Sequence, residues 1–156
     1  MKILLATDGS TFSEVAEQTV TAAIRPQDGE VLVLQVAEPM MFEAAPQLVP
    51  GYLPEQAAKR EEVLNLAKKT TDQAAGRLRT AGFKAESRVV EGDIRNRILD
   101  TAEAWKPDLI VVGSHGRKGM AKFLLGSVAE AVARHARCSV LIVRMPDKAA
   151  AESRAA

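Results

Sequence analysis

The sequence predicts an α/β domain: an open, five-stranded, mostly parallel sheet with helices on both faces. Three observations predict it. Short, nearly unbroken apolar runs occur at Ile3–Ala6, Val31–Val36 and Leu109–Val112, and a strand covered on both faces has no need of polar alternation. Between the runs lie segments whose apolar residues return every three or four positions, so strand and helix alternate through five βα units, as in a sheet wound by crossover helices. Finally, the 156 residues contain no internal repeat and no second domain. A single domain of that size buries about 70% of its unfolded surface and needs no staples.

Taken in order, Ile3–Ala6 runs into the turn Thr7-Asp8-Gly9-Ser10, a strand followed by a reversal. Ser10, Thr11 and Ser13 offer N-caps to a helix with Ala16, Val20, Ala23 and Ile24 on its apolar face, closed by Pro26–Gly29. After the Val31–Val36 strand, Glu38–Pro54 has four prolines, no period, and the apolar residues Met40, Met41, Phe42 and Tyr52. It reads as a long loop that either packs on its own domain or serves as a lid or partner surface. Glu55–Ala81 is helical, with Val63, Ala67, Thr70 or Thr71, Ala74 and Leu78 inward and Gly82 as the stop. Lys84–Val90 alternates Lys84, Glu86 and Arg88 with Ala85, Ser87 and Val89, the half-exposed pattern of an edge strand. Asp93 caps a helix with Ile94, Ile98, Leu99 and Ala102 inward, and Trp105 packs its end. The Leu109 strand, a glycine loop, a helix from Ser127 to about His135 and a last strand Ser139–Val143 complete a domain over 1–146. Asp147–Ala156, rich in alanine and charge, reads as a disordered tail.

Composition excludes several classes of function. The 21 basic and 20 acidic residues nearly cancel, so no global field favours nucleic acid or membrane, and neither a basic face nor interleaved aromatics is present. The single Cys138 forms no internal disulfide and reads as a small buried residue. No signal-peptide region precedes the first strand and no apolar stretch approaches bilayer length, so a cytoplasmic protein is expected.

The richest stretch is Leu109–Val128, LIVVGSHGRKGMAKFLLGSV. A buried strand leads into Gly113 and Gly116, and nine residues later Gly126-Ser127 opens an Ala/Val-rich helix. Glycines let backbone N–H groups approach a ligand unobstructed. Ser127 falls where an N-cap would, adding a hydroxyl and the positive end of a helix dipole, and Arg117, Lys118 and Lys122 add charge. The assembly suits a polyphosphate. It is not a Walker A loop, since Lys118 precedes Gly119, and no Gly-x-Gly-x-x-Gly occurs. His115 lies in the loop without a local carboxylate to orient it and reads as loop-shaping or solvent-facing rather than catalytic. His135 suits a helix C-terminus.

Gly-x2-Gly-x9-Gly-Ser after a hydrophobic strand resembles the ATP-binding signature of the universal stress protein family. The likeness extends to Asp8-Gly9-Ser10 after the first strand, to the second strand, and to the closing Cys138-Ser139-Val140-Leu141-Ile142-Val143, where the family usually has Cys-Pro-Val. It implies a Rossmann-like sheet of order 3-2-1-4-5, with a ligand crevice between the first and fourth strands. Residue by residue, it implies that Asp8 accepts hydrogen bonds from ribose hydroxyls, the alternative being that Asp8 only organises its turn or caps the first helix. Ala6, Thr7 and Val36 would form an adenine slot, although periodicity alone makes Val36 an ordinary core residue. Val112 and Gly113 would flank the sugar. Gly116, Arg117, Gly126, Ser127 and Val128 would hold the phosphates, Arg117 being by default a solvated surface charge.

The resemblance therefore implies an ATP-binding module, with Mg2+ bridging the phosphates, that is regulatory or protective in stress and answers to an unknown protein partner. It also implies a homodimer through Val140–Val143, whose open edge is apolar. Two alternatives stand beside it: a slow ATP hydrolase or nucleotidyl-transfer enzyme, with only His115 and Asp8 as candidate groups, and a nucleotide-independent interaction protein. A response-regulator receiver is discounted, because the first strand ends in Asp8 alone and Arg144 stands where a lysine is needed.

Overall fold

The computed structural model describes residues 1–39, 52–116 and 125–145. Five strands, β1 (Lys2–Ala6), β2 (Glu30–Ala37), β3 (Lys84–Glu91), β4 (Leu109–Gly113) and β5 (Ser139–Val143), form one parallel sheet in the order β3-β2-β1-β4-β5. The expected order is present, and β3 is the edge strand that its charge alternation predicted. Helices α1 (Thr11–Ala23) and α2 (Tyr52–Thr80) bury Ala16, Val20, Ala74 and Leu78 against Ile3, Leu5, Val31 and Val33. On the other face α3 (Ile94–Trp105) and α4 (Ser127–His135) bury Ile98, Ala129 and Val132 against Leu4, Leu32, Leu34 and Ile110. Alternate residues of β1 and β2 thus enter two different cores, which is why those runs are apolar at every position.

Local signals set the helix ends. Ser10 caps α1 and accepts from the Ser13 N–H. Asp93 caps α3, accepting from the Asn96 N–H at 3.0 Å. Gly82, at φ +95°, ends the chain's turn out of α2. The C-cap of α3 is Lys106, a non-glycine residue in the left-handed region at φ 53°. Trp105 packs the helix end as expected, with Lys2 Nζ 4.7 Å from its ring centroid and donating to its carbonyl oxygen at 3.1 Å.

The structure corrects several expectations. α2 begins at Tyr52, not Glu55. Pro54 lies within its first turn, where an amide N–H has no intrahelical partner to lose. Val63 is not inward: it is 38% exposed, Leu66 is 56% exposed, and burial starts one turn later at Ala67 and Thr71. A helical period says which side faces the sheet, not how far the sheet extends beneath it. Ala23 is exposed, the core face of α1 being carried by Ala16 and Val20. Cys138 is half-buried, and burial pushes its thiol above the ordinary range, with Asp108 adding to the effect. Met40, Met41 and Phe42, the Tyr52 side chain, Arg117, Lys118, Lys122 and the 147–156 tail lie outside the described residues. Among the described residues no helix is long and apolar enough to cross a membrane.

Ion pairs tie the helices to one another and to the sheet. Arg77 of α2 grips Glu17 of α1 through two hydrogen bonds of 2.7 Å. Arg60 holds Glu91 at the end of β3 in the same way, at 2.7 and 2.6 Å, and draws its carboxyl below the ordinary range.

Candidate functional site: the crevice between β1 and β4

β1 and β4 are neighbours in the sheet, yet the helices that follow them leave on opposite faces, α1 on one and α4 on the other. The order of the sheet therefore reverses between β1 and β4, and the carboxyl ends of the strands at such a point are where sheets of this kind take ligands. The geometry brings together the residues chosen from two distant parts of the sequence.

Asp8 closes the first loop. Its Oδ1 accepts from the Ser10 N–H at 3.0 Å and the Ser10 hydroxyl at 2.6 Å, so it does organise its turn. The other carboxylate oxygen faces Gly116, where a Cβ would stand 2.9 Å from Asp8 Oδ2. A side chain at this position would push the Asp8 carboxylate aside. Thr7 beside it donates its N–H to the Leu34 carbonyl at 2.9 Å, and its hydroxyl stands 3.1 Å from Ser13 Oγ. Ala6, Val36, Val112 and Val128 border one apolar cluster on the α3/α4 face. Leu34 is the register partner of Ala6, so Val36, two residues on, extends past the end of β1 as an apolar shelf.

The second loop is equally tight. Gly113 lies so close to α1 that a Cβ would meet the Phe12 backbone at 3.0 Å. Ser114, 2% exposed, donates its N–H to the Val143 carbonyl at 2.7 Å and accepts the Gly126 N–H at 2.8 Å. Gly126 needs its bare α-carbon there, a Cβ being 2.9 Å from that same Ser114 oxygen. One expectation is corrected: Gly126, not Ser127, is the N-cap of α4, without a side-chain cap bond, and Ser127 is the exposed first residue of the helix. The glycine's close contact with Ser114 sets the entry angle and moves the boundary by one residue. The positive end of the α4 dipole still opens on the crevice.

Two side chains of the site, Phe12 and Ser114, escaped assignment by sequence. Phe12 continues the Ala16–Val20 face of α1 by one turn, and that spacing was the signal available. Its ring lies 5.3 Å from the His115 ring at 47°. Ser114 Oγ is 3.2 Å from His115 Nδ1, and nothing in the sequence distinguishes this serine from an ordinary loop residue. His115 Nε2 is buried with no hydrogen-bond partner among the described residues. Away from the crevice, a mixed groove of about 390 Å³ runs between α2 and the β3 edge, bordered by Leu64, Lys68, Asp72, Arg88 and Val89.

A model of the universal stress protein family matches residues 1–144. The chain belongs to that family. This universal stress protein is 35% identical over 153 residues to the universal stress protein MJ0531 of Methanocaldococcus jannaschii, covering 94% of this chain and 84% of that one. Its fold matches the solved structure of MJ0577, a universal stress protein of the same organism, with a TM-score of 0.79 at 28% identity, covering 94% of this chain and 97% of that one. A universal stress protein solved in complex with cAMP matches with a TM-score of 0.61 at 27% identity, covering 92% and 96% of the two chains.

Proposed function

We propose that this universal stress protein binds an adenine nucleotide, ATP with Mg2+ across its phosphates, between β1 and β4, and serves as a nucleotide-responsive regulatory or protective module in the cytoplasm. The observation that carries the reading is the approach of Gly116 to Asp8, which joins the glycine loop to the only acidic loop residue at the end of β1. The residues fit such a ligand. Bare α-carbons at Gly116 and Gly126 let the glycine loop pack against the Asp8 carboxylate and the Ser114 carbonyl, and His115 Nε2 is a buried polar atom lacking a partner among the described residues. A relative solved with cAMP supports an adenine nucleotide as the class.

In this reading Ala6, Thr7 and Val36 receive the base, Asp8, Val112 and Gly113 flank the ribose, and Gly116, Arg117, Gly126, Ser127 and Val128 hold the phosphates with backbone N–H groups and the α4 dipole. The described residues contain no cluster of three His, Cys, Asp or Glu side chains able to hold a metal, so Mg2+ would be held chiefly by the phosphates, its usual mode. A second copy pairing on the open edge of β5, where Val140, Leu141 and Ile142 are half-buried, would make a homodimer, and an unidentified protein partner would read occupancy.

The experiment is the nucleotide content of gently purified protein, released by denaturation and separated by chromatography, beside a Gly116→Val variant checked for fold by circular dichroism. ATP recovered from the wild type and lost from the folded variant is the expected result. An empty wild type that also takes up no added adenine nucleotide would overturn the reading.

A further inference from the structure

We infer that the middle of the β3 edge is a docking site for an extended peptide segment of another protein, one that carries an acidic side chain. β3 is paired on one side only, with β2. The Gly92 N–H donates to the Ala37 carbonyl of β2 at 3.1 Å, so by alternation the backbone groups of Ala85, Ser87, Val89 and Glu91 point away from the sheet. The two ends of that row are taken. Arg79 donates to the Ala85 carbonyl at 2.8 Å, and Arg97 to the Glu91 carbonyl at 2.9 Å. Between them, the outward N–H and C=O groups of Ser87 and Val89 have no partner among the described residues.

The space beside these groups is open. The groove of about 390 Å³ is lined by Leu64 and Lys68 of α2 and by Ser87 and Val89 of β3. Two links from helix to strand flank it, Asp72 accepting the Ser87 hydroxyl and Arg60 gripping Glu91. From Ser87 to Glu91 the strand advances roughly 13 Å, room for a peptide of about five residues. The same links occupy the carboxylates of the groove, whereas Lys68 and Arg88 on its border have no carboxylate partner among the described residues. A carboxylate is the group complementary to them. Leu64 and Lys68 stand one helical turn apart, about 6 Å, close to the roughly 7 Å between alternate side chains of a strand. A peptide with an apolar and an acidic residue two positions apart therefore meets both, the apolar one over Leu64 and Val89. Main-chain pairing supplies affinity, and these two side chains select the partner. A second copy offering the same two residues would pair about Arg88 and set that guanidinium against its own twin.

The test begins with amide hydrogen exchange of the full chain, followed by NMR. In the free protein the Ser87 and Val89 amides should exchange fast, and those of Arg88 and Val90, which face β2, slowly. Random hexapeptides displayed on phage are then panned against the chain, and a selected sequence is synthesised as the probe. Enriched sequences should carry an acidic and an apolar residue two positions apart, and the probe should protect the Ser87 and Val89 amides. Lys68→Glu, at an exposed position, should weaken the probe about five- to tenfold. Val89→Pro removes an outward N–H and spares the bonds to β2. Once circular dichroism has shown it folded, it should bind about tenfold or more weakly. Ser87 and Val89 amides already protected in dilute free protein would mean that the chain covers its own edge. Protection that grows with protein concentration would assign the edge to a second copy. Either result overturns the inference, as does a library without enrichment or a probe that binds both variants as tightly as the wild type. Nucleotide content plays no part in these readouts, so such a failure leaves the nucleotide reading standing.

Discussion

Lys106 shows what one backbone angle can cost. At φ 53° it ends α3 by donating its N–H to the Ala102 carbonyl at 2.8 Å, a cap that glycine fills without the Cβ penalty. Lys106→Gly is expected to raise stability by about 0.5–1 kcal/mol, the relieved strain being partly offset by the freer unfolded chain. A higher urea midpoint at unchanged slope would show it, and a lower midpoint would mean that the lysine side chain contributes more than its backbone costs. At this same scale the site was partly legible. Gly113, Gly116 and Gly126 make close backbone approaches that leave a spacing in the sequence, whereas Asp8 shapes its turn with its carboxylate. Phe12 meets His115 across about a hundred positions, and one sequence carries no register between such segments.

Among the elements, the junction of β3 with α3 makes stability depend on acid. Arg60 lowers the Glu91 pKa through its hydrogen bonds, and Arg95 followed by the Asn96 N–H lowers that of Asp93. A carboxylate whose folded pKa lies below its unfolded value stabilises fully above the unfolded value, and the contribution is lost as pH falls through the folded one. Both therefore act above about pH 4.5 and fade below it. The double variant Glu91→Gln with Asp93→Asn, which keeps the cap on α3, should lose less stability than the wild type between pH 5 and about pH 3. Parallel urea midpoints across that range would show that the two carboxylates do not set the acid limb. Element identity was the most legible level, because each strand and helix announces itself by its own period. α2 marks the limit of that reading: its period placed Val63 inward, but only the sheet beneath could show that burial starts at Ala67.

For the whole molecule, the two edges of the sheet behave differently. β3 protects its edge with Lys84, Glu86 and Arg88, all exposed, whereas β5 offers half-buried Val140, Leu141 and Ile142. The Ser114 N–H binds the Val143 carbonyl, so by alternation along the strand the backbone groups of Val140 and Ile142 point to the open side. If a second copy pairs there, Ile142→Pro removes an outward N–H and spares the bonds to β4. A folded monomer in sedimentation velocity is then expected, against a dimer for the wild type. A wild-type monomer would reject the pairing.

The position of β1 bears on how the chain is made. Ile3, Leu4 and Leu5 pair on one side with β2 but on the other with Leu109, Ile110 and Val111. β1 therefore leaves the ribosome well before β4, one of its two partners in the sheet. At about 5–20 residues per second, roughly 5–20 s pass between the synthesis of the two. During that interval an apolar edge stays open at the centre of the future sheet, and nascent chains of this protein would be clients for chaperones that shield unpaired strands.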